Sequence, residues 1–442
     1  MKVLVLGAGV IGVTTAHYLR RQGAEVTVVD RQPAPGLETS FANGGHLSFG
    51  QALPWAAPEA PLQLLTMAGR RDAPLRLAAR WDPELWRWGA KFLRNCTPGR
   101  YRANANVLRK LAAHSRTCLG ELMAHAPALK FDYQPQGVLT VFRTSRVFDR
   151  EKARVADAIS DQAGKAGNAD HAQDPERVLT ANDCVHAEPA LGHARRAGKI
   201  VGGLLAASAA TGDAHQFTHG LAEICKNAGV EFRFGVTVTR LRRVGGAITG
   251  AETADGFMEA DAVVLALGSH SPLIARTVGV VLPIIPVKGY SVTLAISGEA
   301  TSGDGVPRLG ILDAERKVVM APVDGALRAA GTAEFAGYDQ SIDPIRAQAI
   351  ARVAQDLFPE LGPLPDAPSD LNPWAGLRPM TPDGPPLLGS LPASYGCTNL
   401  YLNTGHGPLG WTLACGSAKL VADWVGGSPP DDPSGTSFAR FA

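Results

Sequence analysis

Apolar positions open the chain as Val3-Leu4-Val5-Leu6, an unbroken run that fits a short buried strand. The run stops at Gly7-Ala8-Gly9-Val10-Ile11-Gly12. Val13, Ala16, Tyr18 and Leu19 then supply the packing positions of a helix that Gly23 ends. A second apolar strand, Glu25 to Val29, finishes on Asp30. Farther on, Val107, Leu108, Leu111, Cys118, Leu119 and Leu122 recur at helical spacing and predict a helix over 102–125. Gly137 to Phe142 predicts a strand, 147–166 a polar helix and 167–177 a loop. Gly202 to Leu205 leads to a helix from Phe217 to Ala228, followed by alternating strands at 230–234, 236–243, 247–253 and 257–260. Ala262 to Leu267 is apolar throughout and stops at Gly268, as a parallel strand covered on both faces would. Residues 280–296 and 309–331 predict strands of a second sheet, and 344–357 a helix ending before Pro359. Leu400 to Asn403 is a last strand; Gly405-His406-Gly407 is its turn, and a helix runs on through Val425.

The chain therefore carries a strand–glycine turn–helix unit at each end. At 442 residues it is too long for one core, so two domains are expected. The net charge of +2 gives no reason to expect a nucleic-acid partner. Six cysteines (Cys96, Cys118, Cys184, Cys225, Cys397, Cys415) lack paired metal spacing and read as reduced thiols in a cytoplasmic protein. No signal peptide is expected ahead of a strand that begins at residue 2 or 3, and no apolar window is long enough to span a bilayer.

The first unit has the chemistry of a dinucleotide site. Gly7 permits the tight turn, Gly9 lets the backbone approach a pyrophosphate, and Gly12 lets the helix pack on the strand. The helix N-terminus offers N–H groups and partial positive charge to phosphates. Asp30, eighteen residues after Gly12, is placed to accept from ribose hydroxyls. The small polar stretch Glu38 to Leu47 is suited to lie along a ligand. The second glycine turn selects the dinucleotide. An NAD enzyme has no need of it, whereas FAD is extended and its ring lies far from its adenosine. Gly405 and Gly407 would allow backbone approach to that ring, with a helix N-terminus beside it.

The segments VLGAGVIGVTTAHYL, ETSFANGG, ALGS, PVKGYS, WAGLRPMTPDG and NTGHGPLGWTLACGS resemble the D-amino-acid oxidase superfamily of FAD-dependent oxidoreductases, over residues 1 to about 428. Within it they are most similar to bacterial D-amino acid dehydrogenases of the small-subunit type. The resemblance implies an α/β (α+β) fold. A Rossmann-like FAD-binding domain would come from 1–50, 197–278 and 370–442. A substrate domain on a mixed or antiparallel sheet would come from 51–196 and 279–369. It implies non-covalent FAD, because no cysteine precedes Thr381-Pro382-Asp383, where some flavin enzymes attach it. The implied FAD contacts are Gly7, Gly9, Val10, Ile11, Gly12, Asp30 and Arg31, then Ser40, Asn43, Gly44, Gly45, His46 and Leu47. Val238 would lie beside the adenine, with Gly268 also in contact. Gly405, His406, Gly407, Leu409, Gly410 and Thr412 would lie near the flavin ring.

The implied reaction is oxidative deamination of D-amino acids to 2-oxo acids and ammonia, by hydride transfer from Cα to flavin N5. Arg378 matches the arginine that holds the substrate carboxylate in related enzymes; a structural alternative pairs it with Asp383. Tyr290 is the expected second carboxylate donor, or else a sheet tyrosine. His46 would accept a proton from the amine or orient it, or touch FAD only through its backbone. His406 would serve the turn, or place a charge near flavin N1. The electrons would pass to a quinone or other respiratory acceptor. The alternative is an oxygen-using oxidase of glycine, sarcosine or D-proline-type amines. Trp55, Trp81, Trp86, Trp88 and Phe92 alternate with Arg70, Arg71, Arg76, Arg80, Arg87, Lys91 and Arg94. Residues 86–94 would form a basic amphipathic helix, suited to a membrane surface or an acceptor site. Ordinary core tryptophans with solvated arginines are the other reading of 53–94, so location is expected to be cytoplasmic, with peripheral contact on the inner membrane face if the first reading holds.

Overall fold

The computed structural model describes residues 1–62, 74–77, 81–163, 176–296, 306–365, 367–431 and 435–441. Arg70, Arg71, Arg80 and most of the expected loop 167–177 lie outside them. Two sheets organise the chain. Across the first, the strands are Leu387–Ser390, Leu400–Thr404, Ala262–Leu265, Lys2–Leu6, Glu25–Asp30 and Glu231–Phe234. Four of its five pairings are parallel, the exception being Leu387–Ser390 with Leu400–Thr404. Val263, Val264 and Leu265 are fully buried, as the unbroken apolar run requires. The helices Val10–Arg21, Ala214–Asn227 and Gly410–Val425 pack together on one face. A separate apolar cluster with Leu4, Leu6, Val263 and Leu265 fills the other face.

The second sheet orders Trp374–Met380, Ile285–Ala295, Ala326–Phe335, Val318–Val323, Gly310–Asp313, Val138–Phe142, Gly202–Ala206 and Arg177–Thr180, with Leu75–Leu77 beside Ala326–Phe335. It is mainly antiparallel, with the helix Pro344–Leu357 packed behind it. Two strands depart from the expected domain split. Gly202–Ala206 and Trp374–Met380 belong to this second sheet, although 197–278 and 370–442 were assigned to the nucleotide-binding side. Both form ladders with strands remote in sequence, so local pattern could not place them. The chain crosses between sheets at Ala210–Thr211, which pairs with His46–Leu47.

The expected amphipathic helix is Pro83–Asn95, started by the Asp82 carboxylate accepting from the Glu84 and Leu85 N–H groups. Trp88 and Phe92 are buried on its inner side, while Trp81 and Trp86 are exposed. Arg76 is ion-paired with Glu334 at 3.4 Å and Asp343 at 3.6 Å, so it is not part of a free basic surface. No helix among the described residues is long and apolar enough to cross a membrane.

Candidate active site

One cavity of about 1640 Å³ runs from the N-terminal glycine turn, past the 38–48 stretch, to the C-terminal turn and the Trp374–Met380 strand. At its nucleotide end the glycines divide the work. A Cβ at Gly7, where φ is +106°, would lie 2.6 Å from the Ala266 carbonyl oxygen, and one at Gly12 would overlap the Gly7 carbonyl oxygen. Those two positions are closed by packing. Gly9 is open: within 4 Å a Cβ there would meet only Ser40 Oγ, at 3.4 Å. The Val10 N–H donates to Ser40 Oγ at 3.0 Å. The Ile11 and Gly12 N–H groups stand in the first turn, where a helix supplies no acceptor. Asp30 accepts from the Ala8 N–H (2.6 Å) and the Gln32 N–H (2.8 Å), tying the turn to the second strand. Burial pushes its carboxyl upward against these bonds. Arg31 also lines the cavity, with its guanidinium held by Glu38 at 2.5 Å.

The 38–47 stretch is pinned by close approach. Asn43 Oδ1 accepts from the Gly45 N–H at 3.0 Å, and a Cβ at Gly44 would overlap Val319. Strand alternation then sends His46 to the cavity and Leu47 into the core. Leu47 is therefore a packing residue and not an exposed cofactor contact. Val238 and Gly268 line the wall, and nothing lies within 4 Å of a Cβ at Gly268. At the second turn Gly407, Leu409, Gly410 and Thr412 line the cavity, and Thr412 Oγ1 accepts from the Ser48 N–H at 3.1 Å. Gly405 does not reach the cavity. Its φ is +82°, and a Cβ would lie 2.8 Å from Thr381 Cγ2, so its bareness serves the packing behind the turn.

Both histidines are neutral. His46 Nε2 lies 2.9 Å from the Met320 carbonyl oxygen, which only an N–H can satisfy, so Nδ1 carries the lone pair. Burial pushes this ring down to about 4. His406 Nε2 is 3.1 Å from Ser417 Oγ, and burial takes its ring to about 3. Burial, with no acidic partner among the described residues, disfavours the charged form of the His406 ring and so favours the turn role over a charge near the flavin. In the unfolded chain such rings titrate near 6.5. Between that value and the folded one, the unfolded state binds protons that the folded state refuses. Stability is thus complete above pH 6.5 and lost as pH falls from 6.5 toward 4, at up to roughly 1.4 kcal/mol per pH unit per ring. Thermal melts should show Tm falling from pH 7 to pH 5, and His406→Gln should flatten that slope.

At the other wall stands Arg378. Its Nη1 donates to the Thr332 carbonyl at 2.8 Å, and its guanidinium lies over Gly289, where a Cβ would overlap it. No carboxylate among the described residues pairs with it; Asp383 is taken by Arg440 at 2.6 Å. Burial pushes Arg378 down to about 10, which leaves it charged at neutral pH. Tyr290 does not share this wall through its hydroxyl. It sits in the next register position after Gly289, so its ring turns to the rear of the sheet. There its O–H donates to Glu334 Oε2 at 2.8 Å. The expectation of a second carboxylate donor is corrected by that alternation. The wall near Arg378 is aromatic: Trp55, Trp88, Phe335 and Trp374. Trp88 Nε1 donates to the Met380 carbonyl at 2.9 Å. Sequence reading missed Trp374, Thr332 and Gly289 as site residues. Trp374 and Gly289 lie inside segments it had singled out, while nothing marked Thr332.

The chain matches the family described as "DAO: FAD dependent oxidoreductase" over residues 2–424. A D-amino acid dehydrogenase of Paramagnetospirillum magneticum is 45% identical over 430 residues, covering 97% of this chain and 96% of that protein. Another, from Methylobacterium nodulans, is 44% identical with both chains fully covered. Among solved structures, glycine oxidase from Geobacillus kaustophilus superposes with a TM-score of 0.72 at 20% identity, covering 99% of this chain and 98% of that one.

Proposed function

The chain belongs to the DAO family of FAD-dependent oxidoreductases, and from that premise we propose that it deaminates D-amino acids oxidatively, yielding 2-oxo acids and ammonia. The residues fit FAD. Gly9 and Gly268 leave bare backbone on the cavity wall, the first turn of Val10–Arg21 points N–H groups, and the cavity continues without a break to Thr412. Asp30, Ser40, Asn43, Val238, Gly407 and Gly410 would hold it. FAD would be held non-covalently, since no cysteine shortly precedes Thr381-Pro382-Asp383. When bound, FAD supplies the acceptor for the hydride that leaves the substrate Cα.

The observation that carries the reading is Arg378: a half-buried guanidinium facing the same cavity as the nucleotide turn, with no carboxylate partner among the described residues. Its fork binds the substrate carboxylate and fixes the direction of Cα–H. The aromatic wall beside it excludes water from the reacting carbon. A ring held at about 4 does not store a proton at neutral pH, so His46 orients the amine by hydrogen bonding at Nδ1. The substrate then reacts as its neutral amine. It follows that kcat/KM should rise with pH toward the substrate's own amine pKa, with no limb near 6.5. Anaerobic mixing with D-amino acids, their L-enantiomers, glycine and sarcosine tests the reading. Flavin bleaching by D-amino acids is expected; bleaching only by L-enantiomers or glycine would overturn it.

For the electron acceptor we propose a quinone, reached at a membrane surface. Supporting this, Trp81 is 86% and Trp86 62% exposed, with Leu93 also exposed beside Arg87 and Arg94 on the helix Pro83–Asn95. Trp81→Asp with Arg94→Glu should weaken sedimentation with anionic phosphatidylcholine/phosphatidylglycerol vesicles by about tenfold or more. Reoxidation faster with a soluble quinone than with oxygen is expected, and the reverse order would sink the quinone assignment.

A further inference from the structure

Thr332 carries two unfavourable features beside the substrate clamp. Its φ is +61°, a left-handed value that a β-branched residue rarely adopts. Its Oγ1 is buried without a hydrogen-bond partner. Yet its carbonyl is what Arg378 Nη1 binds. The strand pattern shows where the conformation comes from. Ala330 lines the cavity and Ala329 faces the rear core. Ala333 again faces front, in the cluster with Trp88 and Phe92, and Glu334 faces rear. Two front residues three apart mean that the alternation slips by one, and the ladder skips correspondingly between Lys288↔Glu334 and Tyr290↔Gly331. Thr332 sits in this bulge, which turns its carbonyl toward Arg378.

Strain of this kind persists only where the surroundings over-determine it. Here the rear of the sheet does so. Glu334 accepts from the Tyr290 hydroxyl at 2.8 Å, lies 3.5 Å from Lys288 Nζ, 3.4 Å from Arg76 and 3.9 Å from Arg346. Lys288 is itself anchored to Asp339 and to the Ser341 carbonyl, both at 3.0 Å. Within the sheet, toward the neighbouring strand Leu75–Leu77, the Ala333 N–H donates to the Pro74 carbonyl at 2.6 Å. The residue after Thr332 and the one after that are thus both fixed.

We propose that Tyr290, Glu334 and Lys288 are positioning residues for Arg378. They hold the Thr332 bulge left-handed from behind the sheet, and the bulge carbonyl sets the plane of the guanidinium. Tyr290 thus serves substrate binding without touching substrate. The inference rests on the reading of Arg378 as carboxylate clamp.

A double-mutant cycle on the FAD-loaded enzyme tests it, reading KM and kcat for a D-amino acid and the calorimetric Kd of propionate, a carboxylate that lacks an amine. Tyr290→Phe should raise KM and the propionate Kd about tenfold with kcat nearly unchanged. Glycine takes the left-handed conformation without strain, so in the T332G background the same change should cost less than about threefold. T332N, which also tolerates that φ, is the second background. An equal penalty in all backgrounds overturns the proposal and returns Tyr290 to direct contact or bulk packing. No change in propionate Kd for Y290F alone overturns it as well. Arg378→Ala is the separate arm: if it leaves propionate binding intact, the clamp reading itself fails.

Discussion

Arg378→Ala is expected to lower kcat/KM for D-amino acids by roughly 30- to 5,000-fold, on the order of 2–5 kcal/mol, while the flavin spectrum persists. The size follows from what is left behind. In the parent, a half-buried guanidinium has one neutral acceptor among the described residues, the Thr332 carbonyl, and shares its cavity with Trp55, Trp88, Phe335 and Trp374. A substrate carboxylate entering that space exchanges water for a charge-assisted fork. Without Arg378 the carboxylate would be buried unpaired, which is far costlier than losing a solvent-exposed pair. Arg378→Lys should recover only part of the loss. Lysine keeps the charge but not the planar fork, and it cannot hold Thr332 and a bidentate partner in one plane. Anaerobic stopped-flow bleaching reads both variants, and parent-like bleaching by R378A at low substrate would remove Arg378 from the site.

What could be read from the sequence was the part whose geometry is local. Gly7 to Asp30 announced its strand, turn, helix and acid within thirty residues, and the structure places each where that order implies. Arg378 was legible because Trp374 to Gly384 resembles the family segment whose arginine holds the substrate carboxylate. The failures share a different cause. Leu47 and Gly405 lie in the right segments but pack away from the cavity, and Tyr290, on its wall, turns its ring and hydroxyl to the rear of the sheet. A strand shows its alternation in sequence but not which face is the front; only register with a partner decides that. The same holds for Gly202–Ala206 and Trp374–Met380, whose sheet was fixed by partners more than forty residues distant or across the domain split. Thr332 left no signal at all. Its importance is a bulge created by pairing, and Ala-Gly-Thr-Ala-Glu gives no sign that the threonine is left-handed. Charge was equally deceptive: Arg76 counted toward a basic surface until Glu334 and Asp343 accounted for it.

The glycine turn supplies the second large effect, and it separates two jobs that one motif performs. Gly12→Ala should damage the fold itself. The new Cβ would overlap a backbone oxygen, that of Gly7, which no side-chain rotation can relieve. The helix Val10–Arg21 would have to move, yet it is packed against both Gly410–Val425 and Ala214–Asn227. Overpacking of this kind costs about 1–3 kcal/mol when neighbours can yield, and backbone yields least. The apoprotein should melt several degrees lower and retain little FAD. Gly9→Ala should behave otherwise. Its Cβ meets only Ser40 Oγ at 3.4 Å, ordinary contact, so the apoprotein Tm should match the parent. The methyl instead occupies the space through which the backbone would approach the pyrophosphate, and FAD affinity should fall at least about tenfold. Apoprotein melts and FAD titrations on the two variants decide the point. If Gly9→Ala bound FAD like the parent, the nucleotide end of the cavity would have been assigned to the wrong wall.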